Sequence, residues 1–234
     1  MTAASSGVCE LFFYEAFAEE AERLRHYAAA AGVRVGHTPL TIQEAGHTAP
    51  PAPVISVRTQ SVLPLDWAAQ LRGILSRSTG YDHLTAYRAA AGESCPQLGY
   101  LPLYCARAVA EQAMLLWTAL LRHLPRQVAQ FATFHRDSLT GWESQGKTIA
   151  LFGVGNIGYE IWRIATALGM TVRGVDPVQR HADVTYYSPA DALAAADIIV
   201  CAMNLTPANH RYFTRVVLAQ APRRPILVNI ARGE

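Results

Sequence analysis

Apolar runs of strand length alternate along this chain with stretches of helical spacing, and that alternation predicts an α/β protein. Glu10 to Tyr14 reads as a first strand, Ala16 to Ala31 as a helix closed by Gly32, and Val33 to Val35 as a second strand. The Pro/Ala-rich stretch from Gly46 to Pro53 reads as a surface loop. Val54 to Val57 is a third strand, Leu63 to Leu71 a short helix, and Gly73 to Arg77 a fourth strand. Parallel sheets of this kind take ligands outside the carboxyl ends of their strands, so a site is expected around Ser78 to Tyr81. Ala91 to Cys105 reads as irregular, with Pro96 and Pro102 as breakers.

Ala106 to about Leu124 carries the longest helical signal and is apolar on nearly every side, so it is expected to be buried all round, as a crossing between domains or in a subunit interface. Gln127 to Gly146 reads as a mixed connection. Thr148 to Phe152 is then a short buried strand, followed at once by Gly153-Val-Gly155-Asn156-Ile157-Gly158. Ile157, Ile161, Ile164, Ala165 and Leu168 recur at helical spacing, Gly169 closes that helix, and the strand Thr171 to Val175 ends in Asp176. Asp183 to Tyr187 reads as a further strand, Ser188-Pro189 as a helix start, Ile198 to Met203 and Leu227 to Ile230 as the last strands.

The glycines give this pattern a chemistry. At G-x-G-x-x-G spacing after a strand, the first allows the tight turn, the second lets backbone approach a pyrophosphate, and the third lets the helix pack close to the sheet. The helix N-terminus offers N–H groups and a partial positive charge to that anion. Asp176, 18 positions beyond Gly158, is placed to accept both hydroxyls of an adenosine ribose and to repel a 2′-phosphate. NAD is therefore expected over NADP, although Arg180 stands nearby.

Composition narrows the picture mainly by exclusion. The chain has 234 residues, 51% hydrophobic and 16% charged, with a net charge of +2, too small to imply nucleic acid or a membrane surface. No secretory signal opens the chain, and the most apolar helix is too short to span a bilayer comfortably, so a soluble cytoplasmic protein is expected. Cys9, Cys95, Cys105 and Cys201 lack metal or CxxC spacing, the histidines lack ligand spacing, and no metal site is expected.

Several motifs together resemble the D-isomer-specific 2-hydroxyacid dehydrogenase family. They are Arg77-Ser-Thr-Gly80-Tyr-Asp-His83, Arg107-Ala-Val-Ala-Glu111-Gln-Ala113, the glycine turn, Ala167-Leu-Gly-Met170 with Asp176-Pro177, Leu205-Thr206-Pro207, and Asn229-Ile-Ala-Arg232-Gly233. The resemblance implies a flavodoxin-like substrate domain over 1–104 and a Rossmann-type doubly wound NAD-binding domain over 105–234. It also implies a homodimer through the NAD domain and the 106–124 helix. Arg232 matches the catalytic arginine that binds the substrate carboxylate and polarises its carbonyl, a task suited to a forked guanidinium. The backbone of Thr79 and Gly80 matches the loop on the carboxylate's other side, and Tyr104 the place of a substrate-contacting tyrosine. Thr206 and Pro207 match the loop lining the cofactor, with Asn204 where the family commonly has proline. His83 is expected to cap or pack locally.

The family's acid/base pair, a glutamate and then a histidine, follows the arginine motif, and in these 234 residues, which run to Glu234, no histidine occupies the proton-transfer position. The expectation is a C-terminally truncated D-2-hydroxyacid dehydrogenase with a complete cofactor half and weak or no turnover. Two alternatives stand beside it, a non-catalytic NAD(H)-binding sensor and a phosphite-oxidising member of the family.

Overall fold

The structure, a computed structural model, describes residues 9–233. Internal contacts divide the chain into two compact units, Met1–Tyr104 and Cys105–Glu234.

The first unit runs β1 (Leu11–Phe13), α1 (Ala18–Ala31), β2 (Val35–His37), α2 (Ile42–Ala45), β3 (Val54–Val57), β4 (Gly73–Ser76), α3 (Asp82–Ala91) and β5 (Gln97–Gly99). The strands are all parallel in the order β2-β1-β3-β4-β5, the flavodoxin-like winding. Its core gathers Tyr14, Ile55, Val57, Trp67, Ile74, Leu84 and Tyr87. The order reverses between β1 and β3, and polar side chains fill that switch point. Buried Glu15 accepts from the Arg58 and Gln60 N–H groups (2.9 and 3.1 Å) and from the Ser61 hydroxyl (2.6 Å). Arg77, following β4, donates to Glu20 (2.7 Å), the Ser56 hydroxyl (3.0 Å) and the carbonyls of Tyr14 and Glu15 (2.7 and 3.1 Å).

Four readings need correction here. The helix expected over Leu63 to Leu71 is only a 3-10 turn at Leu65–Trp67, and the second strand starts at Val35 rather than Val33. The stretch read as irregular after Ala91 holds the edge strand β5, paired with β4, because a three-residue strand leaves no periodicity to detect. Helices α2 and α3 were not expected. Thr41 opens α2 by a capping box with Glu44, a signal present in the sequence.

The second unit runs α4 (Ala106–Leu121), α5 (Leu124–Phe131), β6 (Thr148–Phe152), α6 (Asn156–Ala167), β7 (Thr171–Val175), α7 (Pro189–Ala194), β8 (Ile198–Cys201), α8 (Arg215–Leu218) and β9 (Ile226–Asn229). The parallel sheet has the order β7-β6-β8-β9. One core joins its Ile149/Leu151/Ile198/Val200 face to Trp117 of α4 and Ile161 of α6. Another joins Ala150, Phe152 and Ile199 to Leu193 of α7, with Val217 and Leu218 of α8 packed on it. Helices on both faces make the sheet doubly wound.

The strand read over Asp183 to Tyr187 reduces to one parallel bridge, Gly174 with Tyr186. The long helix also ends early. His123 takes a left-handed φ of 54°, and Pro125 begins α5 in its first turn, where its missing N–H costs nothing. The helix is not buried all round: Ala110, Ala113, Trp117 and Leu121 are buried, whereas Leu115, Leu116 and Leu120 are exposed.

Candidate functional site

The turn out of β6 is built by its glycines, each for a different reason. Gly153 has a φ of +90°, and a Cβ there would lie 2.7 Å from the Ala202 carbonyl and the Met203 nitrogen. A Cβ on Gly158 would strike the backbone of Gly153, so α6 can close on the turn only with glycine at this position. Gly155 differs. Its φ of −80° is open to any residue, and a Cβ would meet nothing within 4 Å. Neither strain nor packing within the chain calls for glycine there, and the space in front of it is what an approaching pyrophosphate needs. Asn156 and Ile157 begin α6, whose first turn holds no acidic residue to compete with an anion.

Asp176 closes β7 beside that turn. Its Oδ2 accepts from the Val154 N–H (2.7 Å) and its Oδ1 from the Val178 N–H (2.8 Å), which fixes the carboxylate and leaves acceptor capacity for two hydroxyls. The segment after it is held by residues that belong to none of the motifs above. Tyr159, next to Gly158, stacks on His181 with ring centroids 4.0 Å apart and planes 8° from parallel. Its hydroxyl donates to Asp183 (2.7 Å), and that bond raises the hydroxyl's pKa above the ordinary tyrosine range.

The loop after β8 is closed by Asn209, whose Oδ1 accepts from the Thr206 N–H (2.7 Å) and whose Nδ2 donates to the Asn204 carbonyl (2.7 Å). Thr206 and Pro207 are exposed on it, and Asn204 contributes its carbonyl to the closure. After β9, Asn229 accepts from the Ala231 N–H (3.0 Å) and donates to the Arg232 carbonyl (2.6 Å), which sets the backbone carrying the half-buried Arg232. Asn229 is legible in the sequence as a motif member, and Asn204 as a departure from the family's proline. The closing role of Asn209 is not, since its bonds reach back three and five residues and belong to no motif quoted above.

In the first unit, Thr79 and Gly80 follow β4 at its carboxyl end. The Leu101 N–H donates to the Ser78 carbonyl (3.1 Å) and the Thr79 hydroxyl to the Leu101 carbonyl (3.2 Å), tying this loop to the one that carries exposed Tyr104. His83 meets the Ser76 hydroxyl at 2.8 Å, and Ser76 meets Ser78 at 2.7 Å, so the histidine is engaged beneath the loop. Thr79, Gly80 and Tyr104 thus lie on the first unit, and Arg232, the glycine turn, Asp176, Thr206 and Pro207 on the second. Among the described residues no His/Cys/Asp/Glu cluster could hold a metal, and no helix is long and apolar enough to cross a membrane.

A doubly wound parallel sheet with a glycine turn feeding a helix N-terminus, and a carboxylate ending the next strand, defines a dinucleotide-binding domain. The chain belongs to the D-isomer specific 2-hydroxyacid dehydrogenase family: residues 113–234, just over half of it, match the family's NAD binding domain. NAD is the cofactor of that domain. Among its relatives, hydroxypyruvate reductase of Thermotoga maritima is 30% identical over 191 residues, 79% of this chain and 62% of that protein. The D-lactate dehydrogenase of Escherichia coli is 31% identical over 139 residues, 57% of this chain and 42% of that protein. The chain therefore spans less than two thirds of the length of these relatives. In fold it is similar to the Aquifex aeolicus D-lactate dehydrogenase complexed with NAD and lactic acid, with a TM-score of 0.81 at 22% identity. That match covers 96% of this chain and 69% of the solved one.

Proposed function

We propose that this protein is an NAD-dependent oxidoreductase acting between a D-2-hydroxy acid and its 2-oxo acid, and that the turn at Gly155 with Asp176 holds its cofactor. The observation carrying this reading is the pairing of a glycine that the fold itself does not require with a carboxylate fixed by two backbone N–H groups. When bound, NAD supplies or accepts the hydride. The chain's own residues do the rest. Asn156, Ile157 and Gly158 present the helix N-terminus to the pyrophosphate, Asp176 takes the ribose hydroxyls, and Thr206 and Pro207 line the cofactor. Arg232 forks across the substrate carboxylate and the carbonyl oxygen that gains charge during reduction, while the Thr79 and Gly80 N–H groups hold the carboxylate's other side. Tyr104 contacts the substrate's side chain.

The protein is further proposed to act as a homodimer. Helix α5 adds to the exposed leucines of α4 a stripe of Leu124, Val128 and Phe131 at i, i+4 and i+7, all exposed, and a paired copy would cover it.

The test is NADH titration of the full chain by fluorescence, followed by addition of oxamate, a 2-oxo acid isostere. Saturable NADH binding that favours NADH over NADPH, with oxamate binding that depends on Arg232, is the expected result. Absence of NADH binding would overturn the reading. NADH binding without an oxamate response would favour the non-catalytic NAD(H) sensor.

A further inference from the structure

One hollow of the first unit is used by none of the roles above. It has a volume of about 200 Å³ and is lined by Tyr81, Leu84, Thr85, Arg88, Leu98 and Tyr100. Helix α3 supplies Leu84, Thr85 and Arg88 at successive positions of one face, Tyr81 precedes the helix, and β5 with the residue after it supplies Leu98 and Tyr100. The two tyrosine rings lie 4.6 Å apart at 41°, forming an aromatic wall at the carboxyl end of the sheet. Leu84 is buried and forms part of the floor. Arg88, one helical repeat further along α3, is the single charged residue of the lining. No carboxylate among the described residues pairs with it, whereas Arg58 and Arg77 of the same unit both pair with Glu20.

Such a lining selects a ligand by its two ends. The tyrosines and leucines reward a flat apolar body, and an unpaired guanidinium rewards a planar anion that it can bind with two parallel hydrogen bonds. The volume admits about ten non-hydrogen atoms at the packing density of protein interiors. We infer that the α3/β5 hollow is a second small-molecule site, taking an aromatic carboxylate with its ring against Tyr81 and Tyr100 and its carboxylate on Arg88. The hollow belongs to the first unit and the proposed cofactor residues to the second. Its walls adjoin the proposed substrate loop, since Tyr81 follows Gly80 and Tyr100 precedes Leu101, whose backbone holds Ser78 and Thr79. An occupant would therefore bear on that loop from behind.

The experiment titrates the full chain, without NADH, with benzoate and 3-phenylpropanoate, following side-chain NMR resonances of Tyr81, Tyr100, Leu84 and Leu98. Benzamide serves as the uncharged probe. Saturable shifts are expected for both carboxylates, weakened at least about tenfold in Arg88→Gln, the loss of one charge-assisted contact. Benzamide should bind the parent and Arg88→Gln alike, and Tyr100→Ala should weaken all three probes. Arg88 lies on the exposed side of a helix, so the variant is expected to fold, which far-ultraviolet circular dichroism checks. A carboxylate response unchanged in Arg88→Gln but lost in Arg232→Gln would place the anion at the proposed substrate arginine and overturn the second site. No shift up to about 10 mM, a threshold for even weak binding, would overturn it too. Neither result bears on NADH binding, which is titrated separately.

Discussion

The carboxylate of Asp176 and the backbone N–H of Val154 are joined by a 2.7 Å hydrogen bond, so the proposed ribose acceptor and the glycine turn form one mechanical unit. Val154 sits between Gly153 and Gly155, so its N–H ties the acid to the turn between the first two glycines. Replacing Asp176 with alanine would remove the ribose contact and release this amide together. Charge-assisted hydrogen bonds contribute about 1.5–3 kcal/mol each, so NADH affinity should fall roughly tenfold to a hundredfold. NADPH affinity should fall less, because a repelling charge leaves as well. Fluorescence titration of both nucleotides measures the ratio, and an unchanged NADH/NADPH preference would sink the ribose assignment.

Gly155 and Gly158 should respond oppositely to alanine. At Gly155 the backbone is ordinary and the added methyl meets no protein atom, so the fold should be as stable as before or slightly more so. NADH binding should nevertheless drop at least about tenfold, because the methyl takes the space where backbone approaches phosphate. At Gly158 the methyl collides with the Gly153 backbone, and overpacking of this kind costs about 1–3 kcal/mol. Thermal unfolding with and without NADH separates the two. Equal destabilisation by both substitutions would contradict the account of the turn.

What the sequence made legible follows from how local each signal is. The Gly153–Asp176 unit could be read because strand, turn, helix and acid follow one another within a single βαβ element. The edge strand β5 and the one-bridge remnant at Tyr186 could not be sized, because pairing partners far along the chain decide where such short strands stop. Glu15 and Arg77 show the same limit at the side-chain level. Glu15 falls in the sequence between a strand and a helix, with nothing to mark it, yet its partners lie at Arg58, Gln60 and Ser61. The apolar run of α4 predicts burial on all sides, whereas Leu115, Leu116 and Leu120 are exposed in the single chain.

Arg77 and Glu20 predict an acid-sensitive first unit. Burial raises the Glu20 carboxyl's pKa, but contacts from Arg77 and Arg58 outweigh that and hold it below the usual carboxylate range. A group whose pKa is depressed on folding stabilises the fold above its unfolded pKa, and that stability is lost as pH falls through the folded value. The unit should therefore lose stability progressively below about pH 4. Glu20→Gln should flatten this slope while lowering stability at neutral pH. Arg77→Met, which strips a largely buried pair of one partner, should cost about 3 kcal/mol. Denaturant unfolding between acid and neutral pH measures both, and a Glu20→Gln profile parallel to the parent's would refute the linkage.

The proposed dimer can be tested on α5 alone. Val128 is 68% and Phe131 74% exposed in the single chain, four and seven residues beyond exposed Leu124. Large apolar side chains so arranged on one face are costly to leave in water, and each adds about 1.5–3 kcal/mol when covered. Neither side chain belongs to the unit's own core, so charges there should leave folding intact. Val128→Asp and Phe131→Asp should each weaken self-association by at least about tenfold, because pairing would then bury an uncompensated carboxylate. The double variant should sediment as a monomer while the parent sediments as a dimer. NADH affinity per chain should be unchanged, since the glycine turn and Asp176 lie on other elements. A parent protein that remains monomeric at tens of micromolar would leave the stripe without its proposed partner and end this reading.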